Sequence, residues 1–268
     1  MLSAQDQLRA GGLVGKMQTL GFEVLVVKPI LPTDPNFKQM LASVDLAATK
    51  SRLGYSLPES AISCLLGHQE IHRRFLETAE YWTLVLEDDV ELVDDKFMLD
   101  IESLRDEKSS FPSVIQLFTR GERFVSKDSK LLESGDMQFH FKSIPGQTAA
   151  YLINRSAAQL SVENSRIIGP ADWPDWSVNV NFKCFYPFSF REVEFGSTIE
   201  KPKVSRWKYR ARAVSILLGL HWVRDRGFYE STKSYRTLVL NPILMRLLWI
   251  LRGKPTWPTE KSQGLWLV

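Results

Sequence analysis

The chain has 268 residues, of which 44% are apolar and 24% charged, with a formal charge of +3. That is the composition of a globular protein long enough to bury a sizeable core, and only two cysteines, Cys64 and Cys184, argue against a disulfide framework or zinc cluster and for a reducing compartment. No basic-then-apolar signal opens the sequence, and no uncharged run reaches the roughly 18–20 residues that cross a bilayer, so a soluble or peripheral protein is expected.

Residues 7–20 can form a helix, weakened by Gly11, Gly12 and Gly15. Phe22–Val27 follows as a strand-like run ended by Pro29 and Pro32. Ser56-Leu-Pro-Glu59 fits a capping box and predicts a helix to about residue 80. At 100° per residue, its Ala61, Leu65, His68, His72, Leu76 and Ala79 share one face. Two histidines at i, i+4 could ligate a metal, but His-Gln-Glu-Ile-His lacks the arrangement of a zinc-protease helix. His68 is therefore expected in the site's architecture and His72 as a hydrogen-bonded structural residue.

The next segment is the most informative. Trp82, Leu84, Val85 and Leu86 form the apolar run of a buried strand, and Glu87, Asp88 and Asp89 follow at once. Three carboxylates at a strand tip repel one another unless a cation or donor network offsets them. Hard divalent ions take such oxygens together with substrate phosphates, and ligands of open α/β sheets bind at the carboxyl ends of strands. A metal–diphosphate site is one reading; an acidic solvated turn after a core strand is the other. Beyond it come a short helix near Asp94–Arg105, a strand at Ser113–Phe118, a polar excursion or hairpin over 120–136, and an apolar segment Thr148–Ile153. A helix beginning near Arg155 leads to the loop Gly169-Pro-Ala-Asp-Trp-Pro-Asp-Trp176, and Phe190–Phe195 alternates as a strand that includes Glu192 and Glu194. Strands alternating with helices through about residue 200 predict an α/β sandwich.

Four of these pieces, in order, resemble glycosyltransferase family 25, which includes bacterial lipooligosaccharide galactosyltransferases. Cys64-Leu-Leu-Gly67-His68 is similar to the family's Cys-x-x-Ser-His, and Leu84-Val-Leu-Glu87-Asp88-Asp89 to its apolar strand ending in Glu-Asp-Asp. Gly146-Gln-Thr-Ala-Ala-Tyr151-Leu-Ile-Asn-Arg155-Ser-Ala157 resembles Gly-Thr-x-x-Tyr-x-Ile-x-Arg-x-Ala with one inserted residue, and Pro170-Ala-Asp172 resembles Pro-x-Asp. The chain departs from the pattern at Ala61, where the family has Glu, at Gly67, where it has Ser, and at its start, where only Met1-Leu-Ser stands for the family's first strand.

The resemblance covers roughly residues 5–200. It implies an α/β, GT-A-like, Rossmann-type nucleotide-sugar domain over residues 1–200, its first strand truncated, with a basic, aromatic-rich helical extension over 201–268. It also implies Mn²⁺ or Mg²⁺, a UDP-sugar donor (galactose being usual), inversion at the sugar carbon and a lipopolysaccharide, lipooligosaccharide or other glycan acceptor. Asp89 is expected as direct metal ligand with Asp88 assisting, and Glu87 as a contact to ribose or the ligand shell. Asp172 is the candidate base for the acceptor hydroxyl, its carboxylate made more basic by Trp173 and Trp176, which could also face a sugar; the other reading makes Asp172 a turn cap and the tryptophans core. Asp175 is a weaker rival. Arg9 and His68 complete the expected nucleotide-binding set.

Residues 200–254 carry thirteen Lys/Arg against three acids, a local excess of ten positive charges that leaves seven negative for the remainder. Lys201, Lys203, Arg206, Lys208, Arg210 and Arg212 interleave with Trp207 and Tyr209 before the apolar segments Ala213–Val223 and Leu238–Leu251. That pattern suits an interfacial helix on an anionic membrane surface, and equally a helical cap with a solvated basic face. A cytoplasmic protein, peripheral on the inner face of the membrane, is the expectation. No phosphate-cradling Gly-rich loop supports a nucleotidyl- or phosphotransferase, and no nucleic-acid module accompanies the basic tail. The alternative function is a catalytically inactive homologue that binds a nucleotide sugar or glycan.

Overall fold

The computed structural model describes residues 4–53, 55–105, 110–119, 121–142, 144–164, 166–169, 171, 174–193 and 263–267. Four main helices flank a sheet: α1 (Ala4–Thr19), α4 (Glu59–Leu76), α5 (Phe97–Arg105) and α6 (Arg155–Glu163). Short helices α2 (Phe37–Met40) and α3 (Leu46–Leu53) lie between the first two. The strands are β1 (Trp82–Leu86), β2 (Val90–Leu92), β3 (Ser113–Gln116), β4 (Gly121–Leu131), β5 (Met137–Phe141), β6 (Ala150–Asn154), β7 (Asn181–Tyr186), β8 (Phe190–Glu192) and β9 (Gln263–Leu267).

Among the described residues, seven strands form one sheet in the order β1-β6-β3-β7-β5-β4-β9, and β2 pairs with β8 in a small second sheet. The large sheet is mixed, because β3–β7 and β4–β9 are parallel while its other neighbours are antiparallel. The chain is thus a mixed α/β protein. Period-two alternation sorts the core into two layers. Trp82, Leu84, Leu86, Ala150, Leu152, Ile115 and Phe185 pack with Met17 of α1 and with Phe97 and Leu104 of α5. Val85, Tyr151, Ile153, Val114 and Phe182 pack on the other side with Phe75 of α4 and with Ala157 and Ala158 of α6.

Three expectations need correction. Phe22–Val27 is not a strand: it finds no ladder partner among the described residues, and Leu25 and Val26 are 61% and 63% exposed. Strand propensity is realised only where a neighbour accepts the hydrogen bonds. Phe22 nevertheless stacks on Phe97 at 6.5 Å, so the segment covers the core as an extended loop. The capping box at Ser56 does not form, because Pro58 is the N-cap residue, held at φ −65° and ψ 152°, and it has no side-chain acceptor. Finally, residues 201–262 lie outside the described residues, and Gln263–Leu267, expected within a helical tail, is a strand. Its Gly-Leu-Trp-Leu sequence adds a parallel partner to β4.

Asn154 joins sheet to helix. It ends β6 and caps α6, its Oδ1 accepting from the Ala157 and Ser113 amides at 3.0 Å each while its Nδ2 donates to the Phe111 carbonyl at 2.8 Å. Asn154→Ala removes a cap and leaves buried backbone groups unmatched, which should cost about 2–4 kcal/mol in urea unfolding. Asn154→Asp keeps the cap and should lose less; equal stability of wild type and the alanine variant would refute this accounting.

Candidate active site

β1 and β3 both run antiparallel to β6, so their carboxyl ends emerge on the same edge of the sheet. The acidic turn follows β1 there: Glu87 and Asp89 are half-buried and Asp88 is exposed. The turn is fixed at both ends. The Glu87 amide donates to the Ala149 carbonyl at 2.8 Å, and the Asp89 carbonyl accepts from the Val193 amide at 2.7 Å.

Alternation along β1 sends Glu87 to the same face as Val85, where α4 packs. His68 of α4 meets it, with Nε2 3.2 Å from Glu87 Oε1, and Thr148 donates its hydroxyl to the same oxygen at 2.9 Å. The chain of contacts continues inward. His68 Nδ1 lies 3.0 Å from the Tyr151 hydroxyl, that hydroxyl lies 2.9 Å from His72 Nε2, and His72 Nδ1 lies 2.9 Å from Ser161 Oγ on α6. All four side chains are buried.

Their protonation follows from charge and burial. Burial alone would lower the His68 pKa; its neighbours Tyr151, Cys64 and the Glu87 carboxylate act the other way, and the net direction is upward. His72 is pushed the other way, to about 3, by burial and by the charge of His68. Burial also raises Tyr151, so its hydroxyl keeps its proton. With His68 protonated, the donor–acceptor balance has one direction: its ring donates to Glu87 and to the Tyr151 oxygen, the Tyr151 hydroxyl donates to neutral His72, and His72 donates to Ser161.

Two further features hold this arrangement. Gln147, the residue inserted relative to the family's Gly-Thr pair, takes φ +78°, a left-handed conformation that costs an L-residue about 1–2 kcal/mol. There its carbonyl accepts from Gln116 Nε2 at 3.1 Å, and Thr148 is delivered to Glu87. Strain of this kind persists where surrounding structure over-determines it. Arg155 reaches across to the end of α4, donating to the Leu76, Thr78 and Glu80 carbonyls at 2.7, 2.8 and 3.3 Å. A cation on the terminal carbonyls fixes the helix that carries His68.

As a donor set for a cation, the turn supplies hard carboxylate oxygens of the kind Mg²⁺ and Mn²⁺ take. Glu87 Oε1 is already shared by His68 and Thr148, and Asp88 and Asp89 add two further carboxylates to the turn. Cys64, His68 and Glu87 form a second, softer group, their ligand atoms within 4.8 Å of one another. Both ring nitrogens of His68 are already engaged, Nε2 with Glu87 and Nδ1 with Tyr151.

The structure thus brings His68, Glu87, Asp88 and Asp89 to one corner. Arg9 lies in α1, with its side chain outside the described part, and Asp172 and Trp173 lie outside the described residues. Trp176 is core, 5% exposed and edge-on to His72 at 6.1 Å, so it is not a platform for a sugar. Asp175 brackets its loop, its carboxylate accepting from the Ile168 amide at 3.1 Å and its own amide donating to the Ile168 carbonyl at 3.0 Å. Glu192 sits in β8 opposite Val90. Sequence reasoning gave Tyr151, Thr148 and Ser161 no part in the site. Alternation could have put Tyr151 on the Ile153 face, but its meeting with His68 depends on the cross-strand register Val85↔Tyr151.

No curated protein matches this chain. The model of one protein family does, over residues 13–172, and its description is glycosyltransferase family 25 (LPS biosynthesis protein). The match takes in α4, the acidic turn, β6 and α6, and covers more than half of the sequence: the chain belongs to glycosyltransferase family 25.

Proposed function

We propose that the protein transfers a sugar, with galactose the first candidate, from a UDP-sugar to a lipopolysaccharide, lipooligosaccharide or other glycan acceptor, with inversion and with help from Mn²⁺ or Mg²⁺. The observation that carries this reading is the acidic turn on the carboxyl edge of the sheet, whose first carboxylate is clamped by Thr148 and His68 while Asp88 and Asp89 follow it. Asp89 holds the metal with Asp88 in support, Glu87 faces the nucleoside part of the donor or the ligand shell, and Arg9 and His68 complete the nucleotide side. When protonated, His68 places a positive charge beside the Glu87 carboxylate, which lowers the repulsion among the three acids. When bound, the divalent ion supplies neutralising charge for the diphosphate leaving group.

Asp172 is assigned as the base that accepts the proton of the acceptor hydroxyl. The fold is assigned to the GT-A type. The basic segment 201–254 is assigned to an anionic membrane surface, which places a cytoplasmic enzyme beside a lipid-linked acceptor. No helix among the described residues is long and apolar enough to cross a membrane.

Transfer or hydrolysis over a panel of nucleotide sugars, with and without Mn²⁺, tests the activity. Metal-dependent turnover of one UDP-sugar is the expected result. No turnover of any donor, with UDP binding retained, would instead favour the binding-protein alternative. Cosedimentation with anionic vesicles that weakens as salt rises is expected of the basic segment; no binding at low salt rejects that assignment.

A further inference from the structure

We propose that Tyr151 is a positioning residue for the donor site: acting through His68, it fixes the Glu87 carboxylate, and His72 and Ser161 complete the support behind it. The inference rests on the reading that places Glu87 on the donor side of the site. It adds a set of residues behind the acidic turn that determine how well that turn binds.

The geometry gives each residue one task. Glu87 stands just past the end of β1, where a glutamate would otherwise sample several rotamers, and Oε1 is held from two directions by Thr148 and His68. A ring can hold a carboxylate in place only if its own orientation is fixed. His68 Nδ1 is bound by the Tyr151 hydroxyl, and Tyr151 lies wholly within the sheet's α4 face, at 0% exposure. That hydroxyl is itself fixed by His72, whose other nitrogen is engaged by Ser161. Trp176 meets the His72 ring edge-on, with centroids 6.1 Å apart, and packs against its side. The chain runs from the helix pair α4–α6 across one strand to the catalytic edge. Support of this kind preorganises a polar site, and its removal from behind a ligating or catalytic group typically lowers affinity or activity by about 10–100-fold.

A double-mutant cycle on the full chain separates positioning from mere structure. Tyr151→Phe deletes one oxygen and keeps the packed ring. Calorimetric binding of UDP with Mn²⁺, and steady-state hydrolysis of UDP-galactose, are measured for wild type, Tyr151→Phe, Glu87→Gln and the double variant. The expected result is a loss of roughly tenfold or more in UDP–Mn²⁺ affinity and in kcat/KM for Tyr151→Phe. In the Glu87→Gln background the same change should cost less than about threefold, because the group it positions has already been altered. Ser161→Ala, the mildest cut in the chain, should move in the same direction by a smaller factor and keeps the test available if Tyr151→Phe fails to fold.

Equal losses in both backgrounds, or wild-type binding and turnover for Tyr151→Phe, would overturn the inference while leaving the donor-site reading intact. Wild-type behaviour of Glu87→Gln, or no UDP–Mn²⁺ binding by the wild-type protein, would remove the donor-site reading and this inference with it.

Discussion

Asp89→Asn will lower Mn²⁺-dependent turnover of the nucleotide-sugar donor by about 10²-fold or more, the scale on which removal of a preorganised charge-stabilising group acts. The substitution is nearly isosteric and leaves one neutral oxygen, so it tests the charge rather than the shape. The turn itself should survive, because the Asp89 backbone carbonyl still accepts from the Val193 amide and the Glu87 amide still donates to the Ala149 carbonyl. Its thermal midpoint should therefore stay close to that of wild type, while the Mn²⁺ concentration giving half-maximal rate rises. Asp88→Asn should be milder, since Asp88 is exposed and water already screens it. Glu87→Gln should weaken nucleotide binding, as described above. If the Asp89 variant turns over at the wild-type rate and at the same Mn²⁺ requirement, the central ligand of the proposed site is lost, and Asp88 cannot replace it in the scheme without showing the larger effect itself.

What the sequence discloses depends on how local the physics is. The run Trp82–Leu86 followed by three carboxylates is visible because strand patterning and electrostatic cost both lie within eight residues. The helix face with His68 and His72 is visible for the same reason, since their spacing alone puts them on one side of α4. The partners of those histidines are not visible in that way. Tyr151 and Ser161 are 79–89 residues from His72 in the chain and meet it only through the pairing of β6 with β1 and the packing of α6 on α4. The family likeness did group Tyr151, Thr148 and Arg155 into one pattern, but a pattern does not say that Thr148 holds Glu87 or that Arg155 caps α4. Phe22–Val27 shows the opposite failure: its local preference is for a strand, yet a strand is a property of two segments and the second is missing among the described residues. Pro58 shows a conflict within four residues, in which a fixed φ and a ring without an acceptor displace the capping arrangement that Ser56 and Glu59 suggest.

Acid will destabilise the protein through His72, with a sign opposite to that of its neighbour on α4. In the unfolded chain His72 takes up a proton near the ordinary histidine value of 6.5, but in the folded protein it does so only near 3. Between these values the unfolded state binds more protons, so the stabilising contribution of neutral His72 is complete above pH 6.5 and is lost as pH falls through the window toward 3. The slope within the window approaches about 1.4 kcal/mol per pH unit for one such group. Protonated His72 would face the His68 imidazolium, would have no acceptor for its Nε2 hydrogen except the Tyr151 oxygen already taken by His68, and would stay edge-on to Trp176. His68 is raised instead, so its contribution is full below pH 6.5 and is lost as pH rises through its elevated folded value. The two effects fall on opposite flanks of the stability curve and can be measured separately. His72→Gln removes one titrating group and leaves every carboxylate in place. Urea unfolding of wild type and variant from pH 7 to pH 4 should therefore give curves that converge as pH falls, the variant being less stable at neutral pH and flatter across the window. Parallel curves would show that His72 gains its proton in the folded and unfolded states alike, and a neutral His72 behind Tyr151 would have to be abandoned.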